Sequence, residues 1–176
     1  MFSVISLLKD FRGNIMKTIV LGVGNPILRD DGVGVHVIQQ LKQQINDPNV
    51  TVDEALTGGM NLLDLILGYN KAILIDAIKM ENMQTGEVKR FSLNDFSMIH
   101  SCNPHDVSLT EAIQLAEKMG EKRIPHEIVI IGITVNNHHP RMFGEQLSPR
   151  VARAVPKAVK MTLKELGKNM WRGEKT

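Results

Sequence analysis

Three short and almost wholly apolar runs constrain this chain more than any other feature: Lys17–Val23 (KTIVLGV), Ala72–Ile75 (AILI) and Ile128–Ile133 (IVIIGI). None approaches the roughly 18 residues that a membrane span requires. Runs of this length read as strands buried on both faces, the pattern of a parallel sheet. Parallel strands need crossover connections, and the stretches between the runs supply helical ones. From Gly32 to Ile45 the apolar residues Val33, Val37, Ile38, Leu41 and Ile45 recur at helical spacing. Met60–Leu67 reads as a second helix, entered through Gly58 and Gly59. Ser108–Met119 is amphipathic, with Ser108 and Glu111 in a capping-box pattern. A last helix opens at Ser148-Pro149, a cap followed by proline, and is expected to run past Pro156 with a kink to about Leu166. Val50–Glu54 is β-rich and half polar, and Val88–Leu93 alternates like an exposed strand after the Gly86 turn. The expected architecture is α/β: three layers, a mostly parallel twisted sheet with helices on both faces.

Composition narrows the partners. The 176 residues fit one domain, and no repeat or linker-like tract divides them. The reading is a single domain over residues 16–168, with residues 1–15 as an N-terminal extension outside the native domain and 169–176 as a tail. Met16 stands directly before the first strand, which is why the extension is set apart. The 21 basic and 19 acidic side chains leave a formal charge of +2, which argues against nucleic acid as a partner. The most basic stretch, Lys157–Lys175, reads as a solvated helix face. One cysteine, Cys102, excludes an intrachain disulfide and points to a reducing compartment. Cys102 itself is read as a small hydrophobe, not as a nucleophile.

In open α/β sheets ligands bind beyond the carboxyl ends of the strands, where the strand order reverses. That rule nominates Asn25, Asp30 and Asp31 after the first strand, Asp76 at the end of the Ala72–Ile75 run, and His105 in the CNPHD stretch ahead of a helix. Two carboxylates and an imidazole suit a hard-to-borderline metal ion with open positions. They suit general acid–base work equally well. Each also has a plain structural alternative: Asp31 as a helix cap, Asp76 as a turn residue, His105 as a surface loop residue.

The segment GVGNPILRDDGVG invites comparison with a dinucleotide-binding loop. The fit is poor, because Asn25-Pro26 follows the second glycine and two aspartates at a helix start would repel a pyrophosphate. An acidic loop there favours a cation.

Taken in order and spacing, IVLGVGNPILRDDGVGVHV, TGGMNLLDLI, AILIDAIK and NPHDVSL resemble the hydrogenase maturation protease family, over Lys17 to about Leu166. The resemblance implies an endopeptidase, of aspartyl type, that removes the C-terminal extension of a nickel-loaded [NiFe]-hydrogenase large-subunit precursor. It also implies that the acidic residue of the first block, the aspartate of the IDA element and the histidine of the PH element contact the metal. Those positions fall on Asp31, Asp76 and His105, as both catalytic residues and metal ligands. Relatives often carry Glu at the first position; Asp31 keeps the oxygen ligand on an arm one methylene shorter. Nickel is then expected to arrive with the substrate, and no cofactor is held permanently. The expected partner is the large-subunit precursor, with no nucleic acid or membrane, and the expected form is a monomer. Whether a carboxylate or the metal activates water stays open at this level.

Rival readings are a broader metal-dependent hydrolase or amidase using the same trio, and a metallochaperone or binding module that holds the large subunit without cutting it. Gly58 and Gly59 suit either close backbone approach to the cleft or a helix-entry turn. His36, His100, His126, His138 and His139 are assigned no role in the site.

Overall fold

A computed structural model of the chain describes residues 16–80, 82–96, 109–135 and 143–171. One five-stranded sheet forms the middle layer, in the order β2-β1-β3-β5-β4. Its strands are β1 (Thr18–Val23), β2 (Val50–Ala55), β3 (Lys71–Ile78), β4 (Val88–Ser92) and β5 (Glu127–Thr134). Neighbours are parallel except β4, which runs antiparallel along β5 at the edge. The three apolar runs of the sequence are β1, β3 and β5, the adjacent central strands, which explains their near-continuous hydrophobicity. The half-polar segments are the two edges.

Helices cover both faces. On one side α1 (Val33–Leu41) and α6 (Val155–Trp171) pack over Val20, Ile73, Ile75, Ile131 and Ile133. On the other, α2 (Gly59–Ile66) and α4 (Leu109–Lys118) cover Leu21, Leu74, Ile78 and Ile130. Single-turn α3 (Leu93–Phe96) and α5 (Pro149–Ala152) complete the set. Each fully buried Ile or Leu contributes about 2 kcal/mol over an exposed one, so the alternation of faces along β3 and β5 fixes both layers at once.

Two expectations need correcting. The Ala72–Ile75 strand does not stop at Asp76: β3 continues to Ile78, and Asp76 is a strand residue paired with Gly132 of β5. The final helix is not one kinked rod ending near Leu166. It breaks after Ala152 and restarts at Val155, and α6 extends to Trp171. Pro156 therefore lies in the first turn of α6, where its missing N–H removes no helical bond and its ring meets no preceding turn.

At the amino-terminal end of the parallel strands the sheet is closed by ions. Lys71, only 1% exposed, reaches Glu165 Oε1 of α6 at 3.1 Å and Glu127 Oε2 at 3.3 Å. Arg90 Nε donates to the other Glu165 oxygen at 3.0 Å. α6 is thereby pinned to β3, β4 and β5.

Candidate active site

The strand order reverses between β1, whose chain leaves toward β2, and β3 on its other side. At the carboxyl end of this pair the chain after β1 makes a tight descent through a one-turn 3-10 helix, Arg29–Gly32, directly into α1. Glycine permits the closeness. A Cβ on Gly34 would stand 2.3 Å from the Ile75 carbonyl oxygen and 2.5 Å from that of Val23. A Cβ on Gly24, whose φ is +130°, would lie 1.9 Å from the Asp31 carbonyl oxygen. The glycines are filled by the chain's own backbone, so the segment offers no open phosphate cradle, in line with the acidic reading of the loop.

This descent brings Asp31 beside Asp76. Asp31 is half-buried, and its Oδ2 accepts a hydrogen bond from the Asn25 amide at 2.8 Å. Asp76 is the only residue of β3 that is not classed as buried. Its carboxyl is pushed up from 3.8 to about 7, first by desolvation and then by the negative charge of Asp31; a hydrogen bond from the Ala77 amide opposes both. Two carboxylates in a poorly solvated notch repel each other, and a cation between them would relieve both penalties. The donor set is oxygen, fit for a hard-to-borderline ion.

Asp30, nominated alongside Asp31, does something else. Its Oδ1 accepts the Ser148 amide at 2.6 Å, tying the loop to the start of α5. Asn25 closes a turn, its Oδ1 accepting the Ile27 amide at 3.2 Å. Between them Arg29 takes φ +54°, the one non-glycine residue with positive φ among the described residues. Its amide donates to Gly144 O at 2.8 Å while Gly144 N donates to Ile27 O at 2.9 Å. Sequence reasoning missed this clasp between 27–29 and 143–148, because no local pattern marks a contact more than a hundred residues apart. The residue-level signal was only that Asp30 and Asp31 are two acids where one suffices.

His105 lies outside the described residues, as do Cys102, His100, His138, His139 and the cap Ser108. Among the described residues no three His, Cys, Asp or Glu side chains gather as a metal-holding group; the described part of the nominated trio is the Asp31–Asp76 pair. His36 Nε2 lies 3.2 Å from Glu145 O on the outside of α1, a packing role. His126 is exposed ahead of β5. Gly59 opens α2 with φ +55°, the helix-entry turn. Along the same rim Ile27, Leu56, Met60 and Phe143 are exposed apolar side chains. Among the described residues no helix is long and apolar enough to cross a membrane.

Comparison with known proteins decides the family. The hydrogenase maturation protease (HycI) family model matches residues 35–165. The chain belongs to the hydrogenase maturation protease family. Its members hydrolyse peptide bonds as endopeptidases, and the chain is an enzyme of that class. It is 25% identical over 154 residues to the hydrogenase 2 maturation protease of Escherichia coli, covering 86% of this chain and 91% of that one. It is 27% identical over 158 residues to the coenzyme F420 hydrogenase subunit delta of Methanothermobacter thermautotrophicus, covering 86% and 95%. Among solved structures, the maturating endopeptidase HybD of E. coli superposes with a TM-score of 0.70 at 25% identity, over 87% of this chain and 93% of that one. HybD from Thermococcus kodakarensis gives 0.61 at 25% identity, over 85% and 98%. The matched family segment begins at Val35 and so contains Asp76 and His105 but not Asp31.

Proposed function

We propose that this protein removes the C-terminal extension of a [NiFe]-hydrogenase large-subunit precursor after nickel has been inserted, acting in the cytoplasm as a monomer. The observation that carries the reading is the Asp31–Asp76 pair at the β1/β3 switch point, an incomplete oxygen site in a chain of this family. Two carboxylates with His105 would hold a free ion weakly, yet would complete the coordination of nickel already bound by substrate thiolates. Nickel is then part of the substrate, and a precursor lacking it lacks the anchor.

Hydrolysis needs water to attack the scissile carbonyl and a proton to reach the leaving amine. Asp31, fixed by the Asn25 amide, is the anchoring carboxylate. Asp76 takes the proton released by the attacking water and returns it to the amine as the C–N bond breaks. The exposed Ile27, Leu56, Met60 and Phe143 suit an extended or apolar segment of the partner beside the site.

A non-cleaving reading has one observation in its favour: one relative is named as a hydrogenase subunit, not as a protease. Intact-mass analysis of nickel-loaded and nickel-free precursor, incubated with wild type, Asp31→Asn and His105→Ala, separates the two. Loss of one C-terminal peptide, only with nickel and only with the wild-type trio, is the expected result. A full-length precursor that still forms a complex would replace the endopeptidase reading with the binding one.

A further inference from the structure

On the same rim, toward the β4 edge, the described residues form an open surface concavity of about 550 Å³ that the carboxylate pair does not line. Two segments line it: Gln84, Thr85 and Gly86 ahead of β4, and Arg150, Arg153, Pro156 and Lys157 of the α5–α6 stretch. Gly86 is needed for the walls to meet: its φ is +87°, and a Cβ there would stand 2.6 Å from the Arg150 carbonyl oxygen. None of the three cations has an acidic partner among the described residues. Glu87, next to Gly86 in the chain, makes no ion pair with them among the described residues. Lys157 heads the stretch read from sequence as a solvated face; it is exposed, and it lines the same concavity as the two arginines and the neutral donors Gln84 and Thr85.

The topology gives the cavity's distance from the chemistry. Asp76 pairs with Gly132, and Thr134 is two residues farther along β5. Thr134 in turn bonds across to Gly86 and Glu87: its carbonyl accepts the Gly86 amide at 2.7 Å and its amide donates to Glu87 O at 2.9 Å. With strands about 5 Å apart and about 3.3 Å of rise per residue, Gly86 lies about 12 Å from Asp76, the reach of roughly three to four extended residues. The rim is thus polarised: exposed apolar side chains lie on the β1/β2 side of the carboxylates, and cations without an acidic partner among the described residues on the β4/β5 side.

We infer that Arg150, Arg153 and Lys157 form a subsite for a carboxylate on the peptide that is cut away, about three to four residues beyond the scissile bond; this rests on the endopeptidase reading. Arginine's planar fork matches a carboxylate in two bonds, and three exposed cations on one concavity sum their attraction where a single surface pair would be weak. The carboxylate is either the terminus of the extension or an Asp or Glu side chain within it, and the subsite orients the extension so that its leaving end points toward β4.

The test combines cleavage with direct binding. The triple variant Arg150→Gln/Arg153→Gln/Lys157→Gln is compared with wild type and with Lys122→Gln, an exposed lysine at the opposite end of the sheet. The substrates are nickel-loaded precursor, the same precursor with the extension's acidic side chains changed to amides, and one carrying a C-terminal amide. The triple variant is expected to raise KM about tenfold with kcat within twofold, and to abolish the salt dependence of KM. Whichever substrate change closes that gap identifies the source of the carboxylate. Equal KM for wild type and triple variant, or a loss that persists equally on all three substrates, overturns the subsite. If wild type cleaves no precursor, the endopeptidase reading fails separately, and binding decides the cavity. In that arm an acetylated Ser/Ala octapeptide with a free carboxylate, its amidated twin, an amidated twin bearing one Glu, and inorganic phosphate are titrated into ¹⁵N-labelled full chain. Shifts at Gly86 with the carboxylate peptides, absent in the triple variant, support the subsite; shifts with phosphate alone, or with none, overturn it.

Discussion

At Asp76 the chain keeps a carboxyl group where neither burial nor its neighbour favours a charge. Its pKa rises from 3.8 to about 7 because the site is poorly solvated and Asp31 is close. The native state therefore holds this proton more tightly than the unfolded chain does. The sign follows: the associated stability is fully present below about pH 4, declines as pH rises through 7, and stays low above it. Asn at this position cannot ionise and can still accept the Ala77 amide. Asp76→Asn is thus expected to stabilise the metal-free protein at pH 8, by at most roughly 4 kcal/mol, and to match wild type at pH 4, while eliminating cleavage. Urea unfolding at the two pH values checks this, and a variant less stable than wild type at pH 8 contradicts the account. The sequence nominated Asp76 because it closes the apolar Ala72–Ile75 run, although that reading put it beyond the strand and not within it. Local cues did not separate Asp30 from Asp31, since adjacent residues share them, and only the family resemblance favoured Asp31. Only the Ser148 amide, brought in from the far end of the chain, assigns Asp30 to structure.

Between elements, the spacing of Asp31 and Asp76 is set by α1 resting on the ends of β1 and β3 with no side chain between them. Gly34→Ala would drive a methyl group into the Ile75 and Val23 carbonyls. A backbone cannot yield as a flexible side chain does, so the expected loss is about 1–3 kcal/mol, with α1 lifted and Asp31 carried away from Asp76. The distinguishing readout is the Asp76 titration followed by carboxyl NMR, expected to fall below 7 as the neighbouring charge recedes. A variant that is destabilised but titrates as wild type would show that Gly34 serves packing alone. Element identity was readable from periodicity, but the α5–α6 break was not. Val151, Ala154, Val155, Ala158 and Val159 are all buried at helical spacing straight across it. The hydrophobic pattern is continuous, and only the proline's geometry interrupts the backbone.

Across the whole molecule the two ends of β3 carry opposite kinds of charge. Lys71 at its start is embraced by Glu165 and Glu127, whereas Asp76 near its other end repels Asp31. The first end holds α6 in place and the second is kept ready for a cation. The burial of Lys71 was illegible in the sequence because the Glu165 partner lies 94 residues away. Lys71→Met removes one cation from a buried network and leaves Glu165 with Arg90, so the expected cost is about 3 kcal/mol. Five residues of strand separate the two sites by about 16 Å, with no shared partner. Their effects should then add. In the double variant Lys71→Met/Asp76→Asn, the unfolding free energy at pH 8 is expected to equal the sum of the single changes within about 0.5 kcal/mol. Lys71→Met alone is expected to keep wild-type kcat/KM per folded molecule. A coupling above about 1 kcal/mol would mean that β3 transmits strain from one end to the other, and stability and catalysis could no longer be treated as properties of separate ends of the sheet.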